Sequence, residues 1–161
     1  MEKNEFVPFF LNLNNKKILV IGGGKIAHRK VKTLLNCGGN ITLIAEKIII
    51  DEINSLNISI LLEKLSLDNN ILQCQLEKLE LNRYFMVIAA TDCKELNSSI
   101  TKICDEKNIL VNNITSQDEM NLRFCKHFQG ENFQIGVSGK GDPNIAKELE
   151  KKLISFISKG N

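Results

Sequence analysis

The chain has 161 residues, of which 43% are hydrophobic and 25% are charged, and its formal net charge is +2. Domains of about 100–150 residues are the common size, so this length accommodates one domain with a short appendage. The composition supports a buried core and excludes a disordered chain. The small net charge gives no indication of nucleic acid or an anionic membrane as a partner.

The N-terminus lacks the basic start and apolar core of a signal peptide, and no stretch reaches the ~20 apolar residues of a membrane helix. We therefore expect a cytoplasmic protein with no membrane partner. The cysteines are scattered and include no Cys-x-x-Cys pair, which predicts reduced structural thiols and no metal site. They are Cys37, Cys74, Cys93, Cys104 and Cys125.

The first predicted elements form a βαβ unit. Residues 17–21 are an apolar run that is typical of a strand buried on both faces of a parallel sheet. Residues 25–36 have helical periodicity and are followed by two glycines, and residues 41–45 are a second apolar run. Together they have the length of about 30 residues that is usual for such a unit.

Strands and helices continue to alternate through the middle of the chain. The further elements predicted in order are a helix at 49–56, a strand at 58–62, a helix from Asp68 onward, a strand at 84–90, a helix at 93–107 and a strand at 109–111. This alternation predicts an α/β fold with a Rossmann-like doubly wound parallel sheet.

The pattern changes toward the C-terminus. Residues 122–128 and 133–138 predict two strands around a turn at 129–132. Asp142-Pro143 then predicts the start of a helix.

A hairpin followed by one helix needs a partner, because an isolated hairpin is marginally stable in water. It packs either against the first domain or against a second copy of the chain. We therefore divide the chain into a Rossmann domain at 1–115 and a small hairpin-plus-helix dimerisation segment at 116–161, and we expect a homodimer.

The sequence GGGKIA at 22–27, between the first strand and the helix, fits the dinucleotide pattern GxGxxA. Gly22 permits a tight turn, Gly24 lets the backbone approach a pyrophosphate, and Ala27 keeps the helix close to the strand. The phosphates would lie at the helix N-terminus, where free amides and the helix dipole favour negative charge. Inside a βαβ unit this pattern predicts NAD binding; the alternative is a glycine turn used only for packing.

Glu46 and Lys47 follow the second strand, where a Rossmann domain holds the adenosine ribose. Glu46 can accept hydrogen bonds from ribose hydroxyls, which favours NAD over NADP, whereas Lys47 beside it can tolerate a phosphate. Alternatively, Glu46 is a solvated loop carboxylate.

Several short motifs occur in a specific order: FFLNL at 9–13, GGGKIAHRK at 22–30, AATD at 89–92 with Asn97, VNN at 111–113 and VSGKGDPNIAKEL at 137–149. Through these motifs the chain resembles the precorrin-2 dehydrogenase family, the NAD-dependent module of sirohaem synthases. The resemblance implies oxidation of precorrin-2 to sirohydrochlorin with NAD as hydride acceptor, in sirohaem or cobalamin biosynthesis. It also implies a site between the Rossmann domain and the dimerisation segment.

The same resemblance implies cofactor-binding roles for seven residues beyond Gly22: Gly24, Lys25 and Ile26 at the phosphates, Glu46 and Lys47 at the adenosine end, and Ala90 and Thr91 near the nicotinamide. The alternative for Ala90 and Thr91 is a strand end built from small residues. Ligands nevertheless bind at strand C-termini in such sheets.

The chain departs from the family at its expected acid. Active members carry an aspartate where this chain has Thr115. A threonine hydroxyl does not accept a proton at neutral pH unaided, and general acid–base assistance is worth ~10²–10⁴-fold, so we expect slower dehydrogenation. Asp118 either substitutes for the acid or caps a turn. Ser138, in a turn shorter than the family's usual version, either faces the substrate or caps the hairpin.

A polycarboxylate tetrapyrrole requires cationic or polar ligands, and Arg123 and His127 are the candidates. Strand alternation places these two on one face and Lys126 on the other. Alternatively, His127 is an exposed hairpin residue. Bifunctional relatives continue into a further helical domain that this sequence lacks, which speaks against ferrochelatase activity.

The sequence thus predicts an NAD-dependent oxidoreductase, a precorrin-2 dehydrogenase. The alternative, favoured by Thr115 and by the missing helical domain, is a relative that binds NAD or a tetrapyrrole as a carrier or sensor. A third hypothesis, an NAD-binding regulatory domain of the potassium-channel type, leaves the hairpin and the last helix unexplained.

Overall fold

The computed structural model describes residues 6–159, which form two compact units. The larger unit is Leu11–Leu122, and the smaller unit comprises the described residues on either side of it. No helix within residues 6–159 is both long enough and apolar enough to cross a membrane.

The boundary between the units lies after Leu122, beyond the predicted boundary at residue 115. The intervening segment belongs to the larger unit because it is hydrogen-bonded to a strand of that unit. The N–H of Leu122 donates to the carbonyl of Val111 at 3.0 Å, and the N–H of Val111 donates to Oδ1 of Asn121 at 2.7 Å.

The larger unit is built on a parallel sheet of five strands: β1 (Lys17–Ile21), β2 (Asn40–Ala45), β3 (Ser59–Leu62), β4 (Met86–Ala89) and β5 (Leu110–Asn113). Their order across the sheet is β3-β2-β1-β4-β5. The chain therefore moves outward from β1 to β3, returns to the other side of β1 and continues to β5. The carboxyl ends of β1 and β4 form a topological switch point, where open α/β sheets bind ligands. The Rossmann-like α/β fold is confirmed.

Two helices of this unit have the apolar stripe that the sequence predicts. They are α1 (Lys25–Asn36), which buries Ala27, Val31 and Leu34, and α3 (Lys94–Glu106), which buries Leu96, Ile100 and Cys104 among others. Ile18, Leu19 and Val20 of β1 are fully buried, as expected for a central strand with both faces covered.

A third helix, α2 (Asn69–Lys78), begins where the sequence predicts it. The Asp68 carboxylate accepts hydrogen bonds from the N–H groups of Asn70 and Ile71, both at 3.0 Å. These bonds satisfy two backbone donors that a helix N-terminus otherwise leaves without partners.

The prediction of an α-helix at 49–56 is wrong. The chain forms a short 3-10 helix at Asp51–Ser55 instead, in which Ile53 is the buried residue. With a single inward side chain, the segment lacks the apolar stripe that stabilises an amphipathic α-helix. A second 3-10 helix, Leu81–Arg83, precedes β4.

The smaller unit contains an antiparallel pair, β6 (Lys126–Gln129) and β7 (Gln134–Val137), and a helix, α4 (Pro143–Lys159). The helix begins as predicted, because the Asp142 carboxylate accepts a hydrogen bond from the N–H of Asn144 at 2.7 Å.

The first hairpin strand begins at Lys126 and not at residue 122. Arg123 therefore lies before the strand, and the alternation argument that paired it with His127 is wrong. The Arg123 guanidinium lies 4.1 Å from the centroid of the Phe6 ring, in a cation–π arrangement.

Candidate functional site

The turn between β1 and α1 begins at Gly22, where the backbone requires glycine. Its φ of +127° belongs to a region that L side chains rarely adopt, and an added Cβ would collide with the carbonyl oxygen of Ala90. The Gly22 N–H donates to the carbonyl of Ile44 at 2.7 Å. The turn is thus fitted between the carboxyl ends of β2 and β4.

Gly23 is also required by its surroundings, although the sequence motif assigns it no role. An added Cβ would collide with the carbonyl oxygen of Lys47, and the carbonyl of Gly23 accepts a hydrogen bond from Ile49 N–H at 2.9 Å. The loop that follows β2 therefore packs directly on the glycine turn.

Gly24 differs from the first two glycines because no heavy atom lies within 4 Å of the position that its Cβ would occupy. It is the N-cap of α1 and has extended backbone angles. The first-turn amides of a helix have no partner within the helix, and here Lys25 and Ile26 are exposed. Open space at a helix N-terminus fits an anionic group such as a pyrophosphate.

At the end of β2, Glu46 forms an ion pair that the sequence does not predict. Its Oε1 lies 3.2 Å from Nζ of Lys64, and both side chains are mostly exposed. The sheet register explains the contact, since Ala45 pairs with Leu62 and the residues beyond each strand end are neighbours. Lys47, beside Glu46, is exposed as well.

At the end of β4, Thr91 is fixed by Asn97 of α3, which is fully buried. Oδ1 of Asn97 accepts hydrogen bonds from the Thr91 N–H at 3.1 Å and from its hydroxyl at 2.7 Å, and Nδ2 donates to the Thr91 carbonyl at 3.0 Å. The N–H of the preceding residue, Ala90, donates to the Ile21 carbonyl at 2.8 Å. The β4 end is therefore held from both sides.

Thr115 joins this network beyond the end of β5. Its hydroxyl donates to Oδ1 of Asn113 at 2.7 Å and accepts a hydrogen bond from Nδ2 of Asn97 at 3.3 Å. Within the described residues, the buried Nδ2 of Asn113 has no hydrogen-bond partner. The VNN motif contains this asparagine, but only the fold shows that it contacts Thr115.

The structure brings together the predicted cofactor-binding residues and Thr115, all of which follow carboxyl ends of the parallel strands. Asp118 is exposed in the turn after β5. Arg123, His127 and Ser138 belong to the smaller unit, where His127 is exposed and Oγ of Ser138 accepts a hydrogen bond from Lys140 N–H at 3.3 Å.

Two titratable groups of α3 have shifted pKa values. Burial raises the pKa of the Cys104 thiol to about 12, so this cysteine is a protonated core residue. A hydrogen bond from the backbone, followed by one from the Cys93 thiol, lowers the pKa of the Glu95 carboxyl. Among residues 6–159, no group of three or more His, Cys, Asp or Glu side chains is placed to hold a metal ion.

Comparison with protein families matches most of the chain to one family model. A family model described as putative NAD(P)-binding matches residues 9–126. This match covers the glycine turn, the loop after β2 and the polar network at the ends of β4 and β5.

Curated relatives include siroheme synthases. That of Tolumonas auensis is 29% identical over 156 residues, which are 96% of this chain and 31% of the relative. That of Pseudoalteromonas translucida is 32% identical, over 95% of this chain and 31% of the relative. The chain thus spans about a third of the length of these relatives.

Among solved structures, SirC, a precorrin-2 dehydrogenase, superposes with a TM-score of 0.74 at 24% identity. The match covers 93% of this chain and 70% of SirC. The two proteins share a fold.

Proposed function

Because the chain belongs to the putative NAD(P)-binding family, we propose that it binds NAD at the carboxyl edge of its parallel sheet and oxidises precorrin-2 to sirohydrochlorin. The glycine turn is the observation that carries the binding part, since open space lies in front of Gly24 at the N-terminus of α1. The similarity to siroheme synthases supports the tetrapyrrole substrate.

In this proposal, different residues at this edge contact different parts of the dinucleotide. Gly22 forms the turn, and the backbone at Gly24, Lys25 and Ile26 holds the pyrophosphate. Glu46 and Lys47 flank the adenosine ribose, and Ala90 and Thr91 lie at the nicotinamide end. NAD, when bound, supplies the hydride acceptor; the chain supplies the orientation.

We assign Thr115 to positioning and not to proton transfer. Its hydroxyl proton is donated to Asn113, and its oxygen already accepts a hydrogen bond from Asn97. Proton acceptance within the larger unit then falls to Asp118, which is exposed beyond the end of β5. A dehydrogenase built in this way is slow, because it lacks a positioned carboxylate.

The proposal is tested by mixing the purified protein with precorrin-2 and NAD and following NADH and sirohydrochlorin. A Gly24→Asp variant is the control, since its carboxylate would repel the pyrophosphate. Turnover by the wild-type chain above this control is expected, and turnover equal to the control would overturn the enzymatic part of the proposal.

A Thr115→Asp variant measures how much a carboxylate at position 115 contributes to the rate of dehydrogenation. Nδ2 of Asn97, which donates to the Thr115 hydroxyl at 3.3 Å, can donate to the introduced carboxylate instead, so the polar network can accommodate it. We expect the rate to rise by ~10²–10⁴-fold. A rate that does not rise would show that position 115 is not the place from which a proton is accepted.

A carrier or sensor is the second candidate function, favoured by the fully engaged Thr115 hydroxyl. Tight binding of NADH or sirohydrochlorin without turnover would support it.

We also propose that the protein is a cytoplasmic homodimer. The smaller unit exposes large apolar side chains that a hairpin and one helix leave uncovered: Val7, Phe9, Phe10, Phe133, Ile145, Leu149, Ile154 and Phe156.

A further inference from the structure

Lys64 is a cation at the candidate site to which the family motifs assign no role. It lies just beyond the end of β3, and its Nζ lies 3.2 Å from Oε1 of Glu46. The N–H of Glu63 donates to the carbonyl of Ala45 at 3.0 Å, which extends the parallel pairing of β2 and β3 up to this point. The position of Lys64 beside Glu46 is therefore set by the register of the sheet.

The backbone around Lys64 is held in place by Gln75 of α2. Nε2 of Gln75 donates to the Lys64 carbonyl at 3.0 Å and to Oε1 of Glu63 at 2.8 Å, and Oε1 of Gln75 accepts a hydrogen bond from Ser66 N–H at 2.9 Å. A single half-buried side chain thus fixes the loop from which Lys64 projects. The backbone from which the exposed Lys64 side chain reaches Glu46 is therefore fixed.

Glu46 is in turn anchored to the glycine turn. Lys47, the next residue, contacts Gly23 through its carbonyl. A dinucleotide whose phosphates lie at Gly24 would direct its adenosine ribose toward Glu46. The Glu46–Lys64 ion pair therefore lies at the strand ends toward which the ribose would point, with the exposed Lys47 next in the chain.

NAD and NADP differ here by one group. The ribose 2′-hydroxyl of NAD donates a hydrogen bond to a carboxylate, whereas the 2′-phosphate of NADP is repelled by a carboxylate and attracted by ammonium groups. A free Glu46 would select NAD strongly. Glu46 is paired with Lys64, which offsets its charge and offers the phosphate a partner.

We propose that Lys64 is a specificity-determining residue that makes this site accept NADP as well as NAD. The proposal rests on the dinucleotide site proposed above. Lys64 contributes little to NAD binding, because the 2′-hydroxyl is neutral. For NADP it contributes an ion pair with the 2′-phosphate and reduces the repulsion by Glu46.

The experiment is isothermal titration calorimetry with NAD and NADP at low ionic strength. We expect Lys64→Met to weaken NADP binding by about threefold to fivefold, the upper range for a mostly exposed ion pair, and to change NAD binding by less than about twofold. Glu46→Gln should do the reverse: it strengthens NADP binding and weakens NAD binding. The effects of both variants on NADP affinity should shrink at high salt, where exposed charges are screened.

Lys152→Met is the matched control. Lys152 forms an ion pair with Glu148 on α4 at 2.6 Å, with side chains about as exposed as those of Lys64 and Glu46. The control should leave the affinities for both dinucleotides unchanged.

The outcomes separate the two proposals. If the wild-type chain binds neither dinucleotide, the proposed function fails and this inference fails with it. If the wild-type chain binds NAD but Lys64→Met changes the affinities for NAD and NADP equally, or changes neither, the role of Lys64 is overturned while the dinucleotide site stands.

Discussion

Gly22 and Gly24 lie in the same turn, yet they are glycines for different reasons. At Gly22 the positive φ and the carbonyl of Ala90 both exclude a side chain. At Gly24 the backbone angles suit any residue and space is open, so we propose that this glycine serves the ligand and not the fold. In this proposal, a residue constrained by the fold and a residue constrained by ligand binding lie two positions apart in one turn.

This difference gives a prediction about stability. Gly22→Ala should lower the free energy of unfolding by about 2–4 kcal/mol, because it adds backbone strain and a collision with a carbonyl. Gly24→Ala should lower it by less than about 1 kcal/mol, because alanine is a poorer N-cap than glycine but meets no collision there. Urea denaturation of both variants measures the two effects. Equal losses would contradict the assignment of separate roles.

The sequence could identify Gly22 and Gly24 because their roles depend on local spacing. It could not identify Gly23 or Lys64, since both depend on loops that the parallel register brings in from elsewhere in the chain. Asn113 was within a recognised motif, but its contact with Thr115 follows from how the chain turns after β5.

At the scale of elements, strands buried on both faces were the easiest to predict. β1, β2 and β4 are short apolar runs, and the amphipathic stripes of α1 and α3 fix those helices. The segment at 49–56 misled the prediction because its apolar residues suggest a helix, while only Ile53 is buried in the 3-10 turn. Local periodicity does not report which side chains meet a neighbouring element.

The core face of α3 also gives a pH prediction through Cys104. Its pKa of about 12 in the folded chain exceeds the ordinary value of 9.0, so the thiol ionises first in the unfolded chain. The stability that the protonated Cys104 thiol contributes is fully present below pH 9 and is lost as the pH rises toward 12. Between pH 7 and pH 10 the wild-type chain should lose about 1.4 kcal/mol through this group.

Comparison with Cys104→Ala isolates this contribution. The variant is less stable at pH 7 because it leaves a cavity, but the deficit should shrink by the same amount at pH 10. Denaturant titrations at both pH values measure it. Cys74→Ala, which removes an exposed thiol, is the control, and a deficit that stays constant in Cys104→Ala would contradict the prediction.

At the scale of the whole molecule, the two units differ in how completely they bury their apolar residues. The larger unit has a continuous core beneath its sheet, whereas α4 carries exposed apolar residues along its length, with Phe156 78% exposed. The sequence predicted the start of α4, but not what covers its apolar residues. A second copy of the chain is the occupant that we propose.

The dimer is tested with Phe156→Glu. Burial of a phenylalanine is worth about 1.5–3 kcal/mol and a homodimer loses two of them, so the dimer dissociation constant should rise by about 10²–10⁴-fold, as measured by analytical ultracentrifugation. Ser155→Glu adds the same charge at an exposed polar position of the same helix and should have little effect. A wild-type chain that sediments as a monomer at high concentration would contradict the proposal.

The packing of the glycine turn has a consequence for the entropy of binding. Gly22 contacts the end of β4 and Gly23 contacts the loop after β2, so the carboxyl ends of β1, β2 and β4 are packed together at the proposed dinucleotide site. A ligand that lies across these strand ends does not have to order a loop first. Preorganisation of this kind removes a cost that mobile sites incur, and it leaves more of the contact energy as affinity.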